Sequence, residues 1–293
     1  QSWERALERA KQGTPDQRAT VAIINTPGDL HVAPVRAALQ AGLHVLVAKP
    51  FAPTLTEARE LVTLAGEMGR TLCVAQQMRW QAHMRALRHA VESGRIGRVE
   101  VVHWLNSKPR PNPANLRNDP QPAIREMSCH HFDTLLYLLG QPKPSRICMD
   151  GFQPSWSPYA GPCMLHGMLE FEENLHVLYH AGFSAQAPCY DIRLEGTEGA
   201  LRCRGTHMSV DDALFELARP RGRWTPVALP VPDPDRSAWS ILLDQWQAHV
   251  RGAPEPSFSG RSNLLVMAMI EAAIESMAQG AWVEIDDCQP NSI

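Results

Sequence analysis

The sequence lacks the features that would place the protein in a membrane or on a nucleic acid. Its 293 residues contain no run of about 20 apolar residues, which excludes a transmembrane helix of ordinary length. Its 28 lysines and arginines are balanced by 31 aspartates and glutamates, so the formal net charge is only −3. Because this balance does not attract phosphate backbones or anionic lipids, we expect neither a nucleic acid nor a membrane as a partner.

Cysteines are few and follow no pattern. There are 7 of them, and none forms a C-x-x-C pair, so the spacing indicates neither a disulfide framework nor a zinc site. Scattered, unpaired thiols are typical of a reducing compartment, and we expect a cytoplasmic protein. His176 and His180 share one face of a predicted strand, but no cysteine or carboxylate pattern accompanies them. We therefore expect no metal site.

Short apolar runs that end at a proline are the most informative feature present. Val45 to Val47 form a continuous apolar run, which is typical of a parallel strand covered on both faces, and Pro50 ends it. Ala22 to Asn25 form a similar run before Pro27. Lys49 is therefore predicted at the carboxyl end of a strand, where ligands bind in open α/β sheets. A solvated lysine at a strand end is the alternative interpretation.

A different pattern begins after Gly97. Strand-like runs recur between Val99 and Arg204 with short turns between several of them, which predicts a largely antiparallel sheet. The length of the chain fits two domains of roughly 150 residues each. Helices are predicted over residues 123–139, 238–251 and 263–278, followed by a short strand near 282–285.

A proline-rich loop, residues 109–122, precedes the first of these helices. Loops of this length often act as lids or binding segments. Lys108, Arg110 and Arg117 lie in or beside it and could meet an anionic substrate. A solvated loop is the more common case for such residues.

Several segments in a fixed order carry a family resemblance. They are Thr26–His31, Ala41–Pro50, Thr56–Leu61, Cys129–Asp133, and Glu271–Ser276 with Gly280. Together they resemble the glucose–fructose oxidoreductase / inositol dehydrogenase / rhizopine-catabolism (Gfo/Idh/MocA) family over nearly the whole chain. The resemblance implies a partial Rossmann-type dinucleotide-binding domain at residues 1–97, with an incomplete parallel sheet. It implies an α+β domain at residues 98–293, in which helices cover a large, mostly antiparallel open sheet that binds substrate and mediates oligomerisation.

The chain departs from the family at the cofactor site. A complete member opens with a strand, a glycine-rich turn and a helix that hold the pyrophosphate, and this sequence has no G-x-G-x-x-G. Its first helical stretch, Trp3 to Lys11, resembles the segment after the second strand of a complete member. Ala48 replaces a usual glutamate, and Ala75 a usual glycine. We expect either a fragment or a natural truncation with weakened binding of NAD or NADP.

The resemblance also implies which residues carry chemistry. Hydride transfer from an alcohol needs a base for the hydroxyl proton and a group that stabilises the developing charge. Lys49, His130 and Glu126 are expected to be catalytic, and Glu126 lies four residues before His130, so its carboxylate could orient the imidazole. The expected cofactor contacts are Thr26, Pro27, His31, Lys49, Pro50 and Gln76, and the expected substrate contacts are Arg79, Trp80, Lys49 and His130.

The sequence leaves three functional hypotheses. The first is an NAD(P)-dependent oxidoreductase that transfers a hydride to or from a secondary hydroxyl of a sugar, polyol or related cyclic alcohol. The second is a non-catalytic relative, a scaffold, subunit or ligand sensor that has lost cofactor binding. The third is a nicotinamide-dependent lyase, glycosidase or decarboxylase. We favour the first, with a small-molecule substrate and a homodimer or homotetramer assembled through the open sheet. For Arg79, a salt bridge between the domains is the alternative role.

Overall fold

The chain forms two compact units in the computed structural model. One comprises Gln1–Gln76 and Trp239–Met267, and the other comprises Gln77–Ala238 and Ala268–Ile293. Compactness alone does not show where an independently folding domain ends, so the domain boundary near Gly97 stays a prediction. The described residues are 2–10, 12, 19–210, 212–286 and 288, and Lys11, the predicted end of the first helix, lies outside them.

Three parallel strands form the sheet of the first unit, in the order β1-β2-β3. Val45, Leu46 and Val47 in the middle strand are at most 1 % exposed, as the continuous apolar run predicts. Helices alternate with the strands, which gives the Rossmann-like arrangement that the resemblance implies. The elements are α1 (Trp3–Ala10), β1 (Val21–Ile24), α2 (Val32–Gln40), β2 (His44–Val47), α3 (Leu55–Glu67), β3 (Leu72–Val74) and α6 (Ala238–Val250).

The two edges of this sheet differ. On the β3 side, the Val74 N–H donates to the carbonyl of Phe258 at 2.9 Å, and Cys73 forms a bridge with Ser259. On the β1 side, Val21 is 39 % and Ile23 64 % exposed, and no further strand pairs with β1 among the described residues. The backbone groups of that edge can accept another strand.

A nine-stranded sheet dominates the second unit, in the order β11-β10-β9-β8-β4-β7-β6-β5-β12. Only β4 and β7 pair in parallel, so the large, mostly antiparallel open sheet is confirmed. β10 and β11 were not predicted. The strands are β4 (Val99–Pro109), β5 (Pro144–Phe152), β6 (Met164–Phe171), β7 (Leu175–Gly182), β8 (Ser184–Gly196), β9 (Gly199–Gly205), β10 (Leu214–Ala218), β11 (Thr225–Pro226) and β12 (Val283–Glu284).

Helices cover one face of the nine-stranded sheet. The predicted helix 123–139 consists of a π-helical turn, Ile124–Ser128, that runs into α5 (Cys129–Leu138). Its rings pack on the inner side of the sheet, where Phe132 and Tyr179 lie 5.5 Å apart. On the outer side, Met168 and Leu178 are each 40 % exposed. The remaining helices are α4 (Ala82–Glu92) and α7 (Gly260–Gln279), the latter shared by both units. No helix in the described ranges is long and apolar enough to cross a bilayer.

Candidate functional site

The loops after β1 and β2 are joined by a fully buried histidine. The Nε2 atom of His31 lies 2.8 Å from the carbonyl oxygen of Thr26, and its Nδ1 atom lies 2.8 Å from that of Pro50 and 3.3 Å from that of Phe51. His31 is 0 % exposed. Carbonyl oxygens only accept hydrogen bonds, so the ring donates to a loop through a nitrogen that carries a proton. This geometry supports a role in holding the loops together, and a direct contact of His31 with a cofactor stays a prediction.

Gly28 lets these two loops approach each other. A Cβ atom at this position would lie 2.6 Å from Cγ and 2.9 Å from Cδ of Pro50, closer than carbon atoms can pack. Only glycine therefore fits between the loop after β1 and the Pro50 ring. The Lys49–Pro50 peptide that follows β2 is cis.

Thr26, Lys49 and Gln76 follow three adjacent parallel strands, and the carboxyl ends of such strands share one edge of the sheet. Lys49 is half-buried, and Gln76 is 1 % exposed. A cation and an amide at this edge fit the nicotinamide end of a dinucleotide. The cofactor contacts of Thr26, Pro27, Lys49, Pro50 and Gln76 stay predictions.

In the second unit, the two remaining candidate catalytic residues lie on either side of a change in helix type. Glu126 belongs to the π-helical turn and His130 to the first turn of α5, and both are half-buried. The thiol of Cys129 donates to the carbonyl of Glu126 at 3.7 Å. π-turns are rare and are found frequently at functional sites. Because the π-turn alters the spacing of side chains, the pairing of the Glu126 carboxylate with His130 stays a prediction.

A buried hydrogen-bond chain lies directly beside His130. His131 Nε2 is 2.8 Å from Asn106 Nδ2 on β4, and His131 Nδ1 is 2.7 Å from the Tyr179 hydroxyl on β7. The Tyr179 hydroxyl is in turn 2.7 Å from Ser128 Oγ. Burial lowers the pKa of His131 to about 3, with smaller contributions from the positive charges of Lys108 and His207. His131 is therefore neutral, donating through one ring nitrogen and accepting through the other.

This hydrogen-bond chain links the π-turn to the sheet, and the sequence did not predict it. Nothing in the sequence marks Asn106 or Tyr179 as partners of His131, because the contacts depend on the parallel pairing of β4 with β7. The only available signal was the double histidine, His130-His131. Its second member packs inward at 2 % exposure while the first is half-buried.

Arg79 forms a buried salt bridge with Asp133, which joins the predicted domains 1–97 and 98–293 as the alternative interpretation of Arg79 describes. Its Nε donates to Asp133 Oδ2 at 2.8 Å and its Nη2 to Asp133 Oδ1, and both side chains are at most 2 % exposed. Burial raises the pKa of Asp133, while the charge and hydrogen bonds of Arg79 act in the opposite direction. Asp133 occupies the guanidinium fork, and a substrate contact of Arg79 stays a prediction.

Trp80 is half-buried beside the same pair. Its ring meets Tyr137 edge-on, with centroids 4.9 Å apart, and the Arg79 guanidinium lies 5.6 Å from the Tyr137 ring centroid. The indole N–H of Trp80 is buried and has no hydrogen-bond partner among the described residues. A sugar contact for Trp80 stays a prediction.

Comparisons with known proteins agree with this architecture. Residues 5–76 match a family model described as an oxidoreductase family with an NAD-binding Rossmann fold. Residues 88–285 match the model of the same family's C-terminal alpha/beta domain. The fold and these matches define an oxidoreductase whose first unit is of the NAD-binding type. The chain belongs to the Gfo/Idh/MocA family of oxidoreductases.

Two relatives are sugar enzymes by name. A 1,5-anhydro-D-fructose reductase of Ensifer adhaerens is 27 % identical over 94 % of this chain and 81 % of its own length. A D-apiose dehydrogenase of Paraburkholderia graminis is 27 % identical over 89 % of this chain and 72 % of its own length.

Solved structures share the fold at lower identity. An aldose-aldose oxidoreductase of Caulobacter crescentus, complexed with glycerol, superimposes with a TM-score of 0.83 at 21 % identity, covering 97 % of this chain and 83 % of its own. An inositol dehydrogenase homologue of Azotobacter vinelandii, complexed with NADH and myo-inositol, gives 0.78 at 18 % identity, covering 97 % and 82 %.

Proposed function

We propose that the protein transfers a hydride between NAD or NADP and a secondary hydroxyl of a sugar, polyol or related cyclic alcohol. The observation that carries this proposal is the clamped loop pair at the carboxyl edge of the parallel sheet. There His31 and Gly28 hold the loop that bears Lys49 against the loop that bears Thr26. The names of the two enzyme relatives support a carbohydrate substrate.

In this proposal, the candidate catalytic residues divide the proton chemistry among them. A bound nicotinamide supplies the hydride acceptor or donor. Lys49 holds the reacting oxygen on a flexible stem. When an alcohol is oxidised, its neutral amine takes up the hydroxyl proton and becomes an ammonium; when a carbonyl is reduced, the ammonium returns that proton to the oxygen. His130 assists with the proton, and Glu126 favours its charged form. The neutral His131 acts only through Tyr179 and Ser128, by fixing the helix that carries both His130 and Glu126.

Binding of NADH and NADPH tests the proposal first. The protein is titrated with each, and its melting temperature is followed, since a ligand that binds only the folded state raises it. Saturable binding, together with turnover of a sugar or polyol panel that Lys49→Ala abolishes, supports the dehydrogenase. A cooperative melt without cofactor binding favours the non-catalytic relative, which Ala48 in place of the family's usual glutamate supports. Cofactor-dependent cleavage of a substrate without net reduction of NAD would favour the lyase, glycosidase or decarboxylase alternative.

We further propose that the outer sheet face packs against a second copy, giving a homodimer or homotetramer. Met168 and Leu178 are exposed there, and His103, His166 and His176 surround them at intermediate or high exposure. Light scattering of the wild type and of Leu178→Asp tests this, and a wild-type monomer would refute it. The 7 cysteines are thiols rather than disulfides, which fits a reducing compartment such as the cytosol.

A further inference from the structure

A groove in the second unit lies outside the candidate catalytic site and includes Arg110 of the proline-rich loop. It forms where β4 and the start of β8 meet the loop between β5 and β6, and its volume is about 220 Å³. A space of this size suits a small ligand rather than a dinucleotide. None of the residues that line it is acidic; they are Pro109, Arg110, Pro111, Trp156, Pro158, Phe183, Ser184, Ala185 and Gln186.

Trp156 provides a fixed aromatic surface on this groove. Its indole N–H donates to the carbonyl of Ser184 at 2.8 Å, so the polar atom of the ring is satisfied within the protein. The side chain nevertheless remains 57 % exposed. An anchored, exposed indole face offers an apolar platform to the C–H face of a sugar ring, and Gln186 adds an exposed amide beside it.

Arg110 provides a positioned cation on the same groove. Its backbone N–H donates to the Phe183 carbonyl at 2.8 Å, and its carbonyl accepts from the Tyr159 hydroxyl at 3.2 Å. Both backbone groups of Arg110 are therefore hydrogen-bonded. The guanidinium lies 5.1 Å from the centroid of the Phe183 ring. Within the described ranges it forms no ion pair, which leaves its fork available to a carboxylate or phosphate.

Tyr159 packs against two of the residues that line this groove. Its ring stacks on Phe183 at a centroid distance of 5.7 Å. Its hydroxyl is the group that donates to the Arg110 carbonyl. Burial raises the pKa of Tyr159 to about 12, so this hydroxyl keeps its proton and stays a donor at neutral pH.

We propose that this groove binds a hexose carrying an anionic group, with the sugar ring on Trp156 and the anion on Arg110. The inference deepens the proposed function, on which it rests, by assigning the substrate a negatively charged sugar. A carboxylate and a phosphate monoester share this chemistry, because the guanidinium fork matches both.

Calorimetric titration of the protein with three methylated or phosphorylated hexoses tests the proposal. Methyl β-D-glucuronide and methyl β-D-glucoside differ only in the carboxylate, and glucose 6-phosphate supplies the phosphate. We expect at least one anionic sugar to bind about tenfold more tightly than the neutral glucoside. Arg110→Gln should abolish that preference. Trp156→Ala should weaken the binding of all three sugars without changing the preference for anionic ones. Trp156→Phe should restore part of the lost affinity.

Arg223→Gln is the matched control, since Arg223 is an exposed arginine that does not line the groove. Equal affinity for charged and neutral sugars, no binding of any of them, or a preference that survives Arg110→Gln would overturn the proposal. The proposal would also be overturned if Arg223→Gln lost the preference for anionic sugars to the same extent as Arg110→Gln. The titration uses neither cofactor nor turnover, so its failure is distinguishable from failure of the dehydrogenase proposal, which NADH and NADPH binding decides.

Discussion

The Nδ1 atom of His31 lies 2.8 Å from the carbonyl oxygen of Pro50, and this contact joins the loops that follow the first two strands of the parallel sheet. The other ring nitrogen, Nε2, lies at the same distance from the carbonyl oxygen of Thr26 in the loop after β1. One buried ring thereby holds the loop after β1, which contains Thr26, beside the loop after β2, which contains Lys49. The backbone of Lys49 is therefore held in position although Lys49 lies in a loop, after the end of β2.

His31→Ala should lower the free energy of unfolding by about 2–4 kcal/mol, because it removes the buried ring contacts that join the two loops and leaves a cavity. Urea denaturation measures the change. His89, which is exposed at the end of α4, is the control, and His89→Ala should shift stability by no more than about 0.5 kcal/mol. Equal losses in the two variants would contradict the clamp.

Gly28→Ala should destabilise the protein by about 1–3 kcal/mol, because the new methyl group overlaps the Pro50 ring. The matched control is Gly66→Ala in α3, where a Cβ atom would meet nothing within 4 Å. That change should stabilise by about 0.5–1 kcal/mol, since alanine has the higher helix propensity. Thermal melts of both variants give the comparison, and opposite signs are the expected result. A stabilised Gly28→Ala protein would show that the loops do not pack so closely.

Asp133→Asn should cost about 3–5 kcal/mol, because it leaves the buried guanidinium of Arg79 without a counter-charge. Removing both charges with Arg79→Met and Asp133→Leu should cost less than the sum of the two single changes. A double-mutant cycle in urea measures this coupling. Additive losses would mean that the two side chains do not interact as the structure describes.

His131 should make stability depend on pH below neutrality. Its pKa of about 3 in the folded state lies below the 6.5 of an ordinary histidine, so the unfolded chain binds an extra proton between these values. The stabilising contribution is present above pH 6.5 and is lost as pH falls towards 3. Relative to His131→Gln, the wild type should lose up to about 1.4 kcal/mol per pH unit in this window. Parallel stability curves for the two proteins from pH 7 to 4.5 would exclude a buried, neutral His131.

The parts of the structure that local patterns determine were predictable. The buried strand before Lys49, the open antiparallel sheet and the end of the helix predicted over residues 123–139 follow from apolar runs, turns and helix ends, which are properties of neighbouring residues. The salt bridge of Arg79 was foreseen as an alternative, but its partner Asp133 was not predictable, because it lies 54 residues away. The π-turn at Glu126 left no recognisable pattern. β10 was missed because Leu214–Ala218 is short and follows a stretch with no clear alternation.

The first unit is built from two stretches separated by the whole nine-stranded sheet except its last strand. β3 acquires its outer neighbour only when Phe258 and Ser259 arrive. Synthesis on the ribosome proceeds from the N-terminus, so the β3 edge of the parallel sheet stays unpaired until residues 258 and 259 have been made. By then every strand of the larger sheet except β12 has been synthesised. A chaperone that shields this edge would therefore act longest on the nucleotide-binding half, and a stop codon before residue 258 would leave that half exposed to proteolysis.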